Sequence, residues 1–190
     1  MKLLVLDNYD SFTFNLVHMF RSMNIDHEVY RNDKISPEEA LSFDLIILSP
    51  GPGIPTEAGN MRKIIAACAG KKPILGICLG HQAIAEYLGA KLNNMSSVYH
   101  GVKNKINILS NEEIFEGIPQ EIEVGRYHSW EVDREGLPEN ICVTAEDENG
   151  TIMALSDASQ KLYGIQFHPE SVMTEYGEEM IQNFLKIAHS

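Results

Sequence analysis

The chain has 190 residues, 44% of them hydrophobic and 22% charged, enough apolar material to fill a core and too much to leave the chain disordered. Fifteen Lys and Arg against 27 Asp and Glu leave a net charge of −12, a field that repels phosphate backbones, so nucleic acid is not an expected partner. At roughly 150 residues per domain the length points to a single domain over 1–190. The apolar start, Leu3 to Leu6, is too short for an export signal or a membrane span, and three cysteines without a Cys-x-x-Cys pair suit neither a disulfide framework nor a thiolate zinc cluster, so a cytoplasmic location is expected.

Lys2 to Leu6 is a short apolar run that ends at Asp7-Asn8, and Ser11 to Met23 follows with Phe12, Leu16, Met19 and Phe20 at helical spacing. His27 to Tyr30, Asp44 to Leu48 and Pro73 to Ile77 read as further strands with helical patterns between them. This alternation predicts an α/β fold, a mostly parallel central sheet with helices on both faces. After Gly89 the texture changes to short β-type runs, Lys105 to Leu109, Ile122 to Val124 and Ile141 to Ala145, and Asn149-Gly150 is a hairpin signal. Tyr163 to Phe167 reads as a buried strand, and Gly177 to Ala188 places Met180, Ile181, Phe184 and Leu185 on one helical face. The second half therefore adds a small antiparallel elaboration.

In a parallel sheet ligands gather where strands end and helices begin, which directs attention to the loops after Leu48, Ile77 and Phe167. The second reads Gly76-Ile77-Cys78-Leu79-Gly80-His81-Gln82, a cysteine between glycines at a strand-to-helix junction. Glycines let the chain turn sharply and push one side chain into the open, and the positive end of the helix favours an anionic sulfur. Cys78 is thus the candidate nucleophile, whereas Cys68 and Cys142 read as small buried hydrophobes. A thiolate that performs acyl transfer needs a base and a group that orients it, and His168-Pro169-Glu170 after the last apolar strand supplies both.

The loop Ser49-Pro50-Gly51-Pro52-Gly53 is stiffened by prolines and opened by glycines. Its N–H groups, with the amide of Leu79, are candidate oxyanion donors, each worth roughly 3–4 kcal/mol in acyl transfer. It lacks the Gly-Lys-Ser/Thr ending of a nucleotide-binding P-loop. Gln82, one helical turn past Cys78, is placed to hydrogen-bond a polar ligand, with an ordinary exposed helix Gln as the alternative. Arg126-Tyr127-His128-Ser129-Trp130 gathers polar and aromatic groups, and His128 itself reads as a satisfied surface histidine. A zinc deaminase would need a cysteine pair downstream of His168, and no cysteine follows Cys142; a zinc site from Cys78, His81 and His168 stays open.

Taken together, Gly76-Ile-Cys78-Leu-Gly80-His-Gln82 and His168-Pro169-Glu170 resemble the motifs of the class I (triad) glutamine amidotransferases. More narrowly, Leu6-Asp-Asn-Tyr-Asp-Ser-Phe-Thr13, Ser49-Pro-Gly-Pro-Gly53, Arg126-Tyr-His-Ser129 and Gln166-Phe-His-Pro-Glu-Ser171 are similar to the glutaminase subunits of anthranilate synthase and aminodeoxychorismate synthase. The resemblance spans the chain. It implies a Cys78 thioester formed on the side-chain amide of glutamine, with His168, held by Glu170, as acid and base. It also implies a glutamine site lined by Gly51, Pro52, Gly53, Leu79, Gln82, Ser129 and Trp130, no cofactor or metal on this chain, and delivery of ammonia to a chorismate-using synthase subunit.

Two positions depart from the family pattern. Trp130 stands where a smaller aliphatic residue is usual, so contact there would be through backbone or a reshaped rim, and Val102 with Lys103 replaces a Lys directly after His100-Gly101. Tyr9 to Thr13 is a candidate partner contact, the alternative being a helix cap by Asp10 or Ser11. A peptide or γ-glutamyl cysteine hydrolase and a catalytically silent scaffold are the competing functions.

Overall fold

A computed structural model of the protein describes residues 1–96 and 98–188. Strands β1 (Leu3–Asp7), β2 (His27–Arg31), β3 (Leu45–Leu48), β4 (Ile74–Ile77) and β11 (Leu162–Ile165) form the parallel half of a nine-stranded sheet in the order β2-β1-β3-β4-β11. Beyond β11 the sheet continues antiparallel through β10 (Ile152–Asp157), β9 (Cys142–Asp147), β6 (Val102–Ile108) and β7 (Glu121–Arg126). A separate two-stranded sheet pairs β5 (Leu92–Asn94) with β8 (Trp130–Val132).

The inner parallel strands β1, β3, β4 and β11 are apolar at nearly every position because both faces are covered, whereas the edge strand β2 is polar and largely exposed. Leu3, Val5, Leu45 and Ile47 point to one side and pack with Leu16 and Phe20 of α1 (Phe12–Ser22) and Met180 and Phe184 of α5 (Gly177–Ile187). Leu4, Leu6, Ile46 and Leu48 point to the other, against Met61, Ile64 and Ile65 of α3 (Met61–Cys68) and Ala83 and Ile84 of α4 (Leu79–Tyr87). The two cores are the two sets of alternate strand residues, and each fully buried Leu, Ile or Phe contributes roughly 1.5–3 kcal/mol. The short α2 (Pro37–Ala40) starts with a capping box, Ser36 Oγ accepting from Glu39 N–H while Glu39 accepts from Ser36 N–H.

The expected strands and the two long helices are present. Asn149-Gly150 lies in the loop of a true hairpin between β9 and β10, where Gly150 has φ +78°. The three-residue strands β5 and β8 carry no periodic signal and are visible only in the fold. Cys142 corrects the sequence reading: at the first position of β9 it is exposed, whereas Cys68 is fully buried in α3 as expected.

Candidate active site

Cys78 sits between β4 and α4 with φ +52° and ψ −100°, a conformation rare for a residue with a side chain. Its N–H donates to Ile165 O at 2.9 Å, and its carbonyl accepts from Gln82 N–H at 3.1 Å. The turn exists because glycines flank it. A Cβ on Gly76 would fall 2.3 Å from the Gly80 carbonyl, and one on Gly80 would fall 2.6 Å from Leu48 O. The helix start is thereby pressed against the ends of β3 and β4, and Cys78 is left 6% exposed.

Ile165 is the register partner of Ile77, so β11 brings the residues that follow it beside the elbow. His168 N–H donates to Gly125 O at 3.2 Å, and the His168 carbonyl accepts from Thr174 Oγ1 at 2.6 Å and Ser171 N–H at 3.2 Å. The loop is folded back on itself, and His168 Nδ1 lies 2.7 Å from Glu170 Oε1 with both side chains buried. Phe12 and Tyr127 pack their rings on the imidazole at 4.7 and 4.9 Å between centroids.

Burial alone would lower the His168 pKa, but hydrogen-bonding and coulombic interaction with Cys78 and Glu170 outweighs it and raises the pKa to about 10. His168 Nε2 has no partner of ordinary hydrogen-bond geometry, and with Nδ1 engaged by Glu170 it is the nitrogen left to face the Cys78 thiol. The arrangement is that of a cysteine beside an imidazolium held by a carboxylate.

The loop after β3 is tied to the end of β1. Asn8 Nδ2 donates to Ser49 O at 2.8 Å, Asn8 N–H donates to Ser49 Oγ at 2.9 Å, and Asn32 Nδ2 donates to Asn8 Oδ1 at 3.0 Å. A Cβ on Gly51 would fall 2.6 Å from Leu79 Cδ2, so this loop lies against the elbow, with Pro52 and Gly53 exposed on it. Gln82 is buried, not an exposed helix residue: its Nε2 donates to Trp130 O at 2.9 Å and to Gln166 Oε1 at 3.1 Å. Ser129 and Trp130 are half-buried beside it.

His128 also departs from expectation. It is satisfied but buried, between Arg126 and the Trp130 carbonyl, and burial with the Arg126 charge pushes its pKa down to about 4. At the start of α1, Ser11 occupies the cap position without a side-chain bond; Asp10 accepts from Phe12 N–H at 2.7 Å, and Asp7 accepts from Thr13 Oγ1 at 2.9 Å. Tyr9 remains 48% exposed. Val102 is exposed at the start of β6, and Lys103 is engaged by Glu123.

Sequence reasoning named Asn8, Phe12, Arg126 and Tyr127 only as members of longer motifs, without the contacts they make at the site, and it missed Asp147. Asn8 had a signal, since it follows a parallel strand at the same sheet edge as the three loops singled out. Among the described residues no three His, Cys, Asp or Glu side chains converge in a way that could hold a metal ion. A cavity of about 1030 Å³ lies between the end of β6 and α5, lined by Leu109, Phe115, Ile118 and Lys186; none of Cys78, His168 and Glu170 borders it. Among the described residues no helix is long and apolar enough to cross a membrane.

Residues 4–188 match the family model described as glutamine amidotransferase class-I. The anthranilate synthase component 2 of Pseudomonas aeruginosa is 43% identical over 97% of this chain and 94% of its own length. The aminodeoxychorismate/anthranilate synthase component 2 of Bacillus subtilis is 42% identical over 97% of this chain and 95% of its own. Among solved structures, a glutamine amidotransferase from Thermotoga maritima has a TM-score of 0.81 at 17% identity, covering 100% of this chain and 99% of that one, and so shares the fold. The chain belongs to the class-I glutamine amidotransferase family.

Proposed function

We propose that this chain is the glutamine-hydrolysing subunit of an anthranilate synthase, releasing ammonia for a chorismate-using synthase subunit. The observation that carries the chemistry is the buried His168–Glu170 pair at 2.7 Å, set beside Cys78 by two adjacent parallel strands. The Cys78 sulfur attacks the side-chain amide carbon of glutamine, and the carbonyl oxygen becomes an oxyanion received by backbone N–H groups of Gly53 and Leu79. His168, protonated, gives its proton to the departing nitrogen, so ammonia leaves and a γ-glutamyl thioester remains. Neutral His168 then takes a proton from water as it attacks the thioester, and glutamate departs. Gly51, Pro52, Gln82, Ser129 and Trp130 line the glutamine site in this reading, and the chain uses no cofactor of its own.

Ammonia released at neutral pH becomes ammonium and is lost to solvent, so an acceptor subunit must be docked when it forms. The relatives named as anthranilate synthase components support that partner. The B. subtilis relative, whose name joins both activities, supports a second reading in which the same chain serves aminodeoxychorismate synthase. Both readings are tested by peptide mapping after exposure to a diazo-ketone glutamine analogue, alone and with each synthase subunit. Labelling confined to Cys78, accelerated by one synthase, is the expected result and identifies the partner. Cys78→Ala should abolish glutamine-driven synthesis and leave ammonia-driven synthesis by the complex intact; absence of labelling in a folded protein whose Cys78 accepts iodoacetamide would refute the glutaminase.

A further inference from the structure

The Trp130 carbonyl is gripped from two sides, by Gln82 Nε2 at 2.9 Å and by His128 Nδ1 at 2.9 Å. The second grip depends on a residue the chemistry does not touch. Arg126 Nε lies 3.0 Å from His128 Nε2, and a guanidinium N–H can only donate, so Nε2 accepts and the imidazole proton sits on Nδ1. Arg126 therefore sets the tautomer that lets His128 donate to the Trp130 carbonyl.

Arg126 is wholly buried, an expensive place for a guanidinium and one that demands partners. Its NH1 donates to Asp147 Oδ2 at 2.6 Å, and Asp147 Oδ1 accepts from Asn149 N–H and Thr151 N–H, both at 2.9 Å, which anchors it in the β9–β10 hairpin. Its NH2 has no hydrogen-bond partner, but the guanidinium lies 3.7 Å from the Tyr99 ring centroid, and Tyr99 in turn stacks on His128 at 5.5 Å. The cation is held on one side by charge and on another by a ring. At the near end of the same strand, the Gly125 carbonyl receives the N–H of His168.

Gln82 feels the other half of this grip. Both hydrogens of its Nε2 are committed, to Trp130 O and Gln166 Oε1, which fixes the amide with Oε1, an acceptor, as the atom left for a ligand. We propose that Arg126 is a positioning residue for glutamine recognition: through His128 it fixes the Trp130 peptide and hence both the Ser129–Trp130 edge and the amide orientation of Gln82. This rests on the glutaminase reading. Arg126 touches neither the substrate nor Cys78, so its loss should weaken recognition of a glutamine-shaped ligand and spare the reactivity of the thiol.

The test compares the concentration dependence of Cys78 labelling by the diazo-ketone glutamine analogue with alkylation by iodoacetamide, which has no glutamine moiety. Arg126→Lys keeps a cation for Asp147 and removes the Nε donor. It should raise the half-saturating analogue concentration about tenfold, the size of one charge-assisted hydrogen bond, and leave the limiting rate and the iodoacetamide rate within about twofold. His128→Gln, which offers both an acceptor and a donor, should lie nearer to the unchanged protein than His128→Phe, which keeps only the ring stack. An unchanged half-saturating concentration in Arg126→Lys, or a parallel loss of iodoacetamide alkylation, overturns the assignment. The unchanged protein provides a measurement independent of any variant: long-range ¹⁵N–¹H spectra of the histidines should show His128 protonated on Nδ1, and protonation on Nε2 overturns the assignment outright. Failure of the analogue to label the unchanged protein refutes the glutaminase reading itself and is thus a distinct outcome.

Discussion

Glu170 Oε1 lies 2.7 Å from His168 Nδ1, and the second carboxylate oxygen of Glu170 is buried without a partner. The carboxylate thus has one task, to hold and charge the imidazole. Glu170→Gln keeps an oxygen for Nδ1 and removes the charge, so His168 should titrate below about 10 in the variant. A positioned acid–base group is worth about 10²–10⁴-fold, and the retained hydrogen bond should limit the loss in glutamine turnover to about tenfold. Cys78→Ala removes the other partner that raises the His168 pKa and should move it in the same direction. Imidazole NMR titrations of both variants check this; a His168 that titrates as in the unchanged protein would contradict the cause assigned.

The backbone at Cys78 gives a second expectation. A φ of +52° with ψ −100° costs a residue with a Cβ about 1–3 kcal/mol, which the surrounding packing must offset. Glycine adopts the conformation freely. Cys78→Gly should therefore be more stable than Cys78→Ala by about 1 kcal/mol, despite the greater freedom of its unfolded chain. Urea unfolding of the two inactive variants measures the difference, and equal midpoints would mean that the turn relaxes when the sulfur is removed.

The elbow and His168-Pro169-Glu170 were legible because their chemistry is written in contiguous residues whose turn requirements restrict the sequence. The parallel sheet was legible because two covered faces require unbroken apolar runs such as Leu45 to Leu48. What escaped depends on pairings distant in sequence. Arg126 at the end of β7 meets Asp147 at the end of β9 only because β6 pairs with both strands and brings them into one antiparallel extension, and Gln82 and His128 are buried only because the segment from Ser129 to Val132 closes over α4. Phe12 looked like a core residue of α1 by its spacing. Being at the first position of that helix, it instead lies against His168 and Tyr127.

Two buried histidines predict the response to acid. Burial pushes His81 down to about 3, opposed by the Gly164 backbone, and burial with the Arg126 charge pushes His128 down to about 4. Both are neutral in the fold and regain an ordinary pKa of about 6.5 when the chain unfolds. The unfolded state binds more protons below that value, so stability is lost as pH falls from about 6.5 toward 4, by about 1.4 kcal/mol per pH unit for each histidine once it is protonated only in the unfolded chain. His128→Gln should remove one of the two protons taken up on unfolding at pH 5. Unfolding curves across pH 4 to 7 check the slope, which a different distribution of protons would leave unchanged in the variant.

The close approach of Gly76 to Gly80 supplies the last expectation. A methyl group on Gly76 meets the Gly80 carbonyl carbon and oxygen at 2.3 Å and His81 N at 2.6 Å, all backbone atoms of the first turn of α4. No flexible side chain can yield, so relief requires that the helix start lift from β4. That movement carries Cys78 away from His168, whose own position is fixed by Gly125 and Thr174. Gly76→Ala should cost about 1–3 kcal/mol, as overpacking does, and should slow Cys78 labelling by the glutamine analogue far more than the stability loss alone explains. Measuring labelling well below the melting temperature separates the two effects. Normal labelling in a folded Gly76→Ala protein would mean that the elbow tolerates the displacement, and that the alignment of sulfur and imidazole does not depend on the tight seat of α4 against β4.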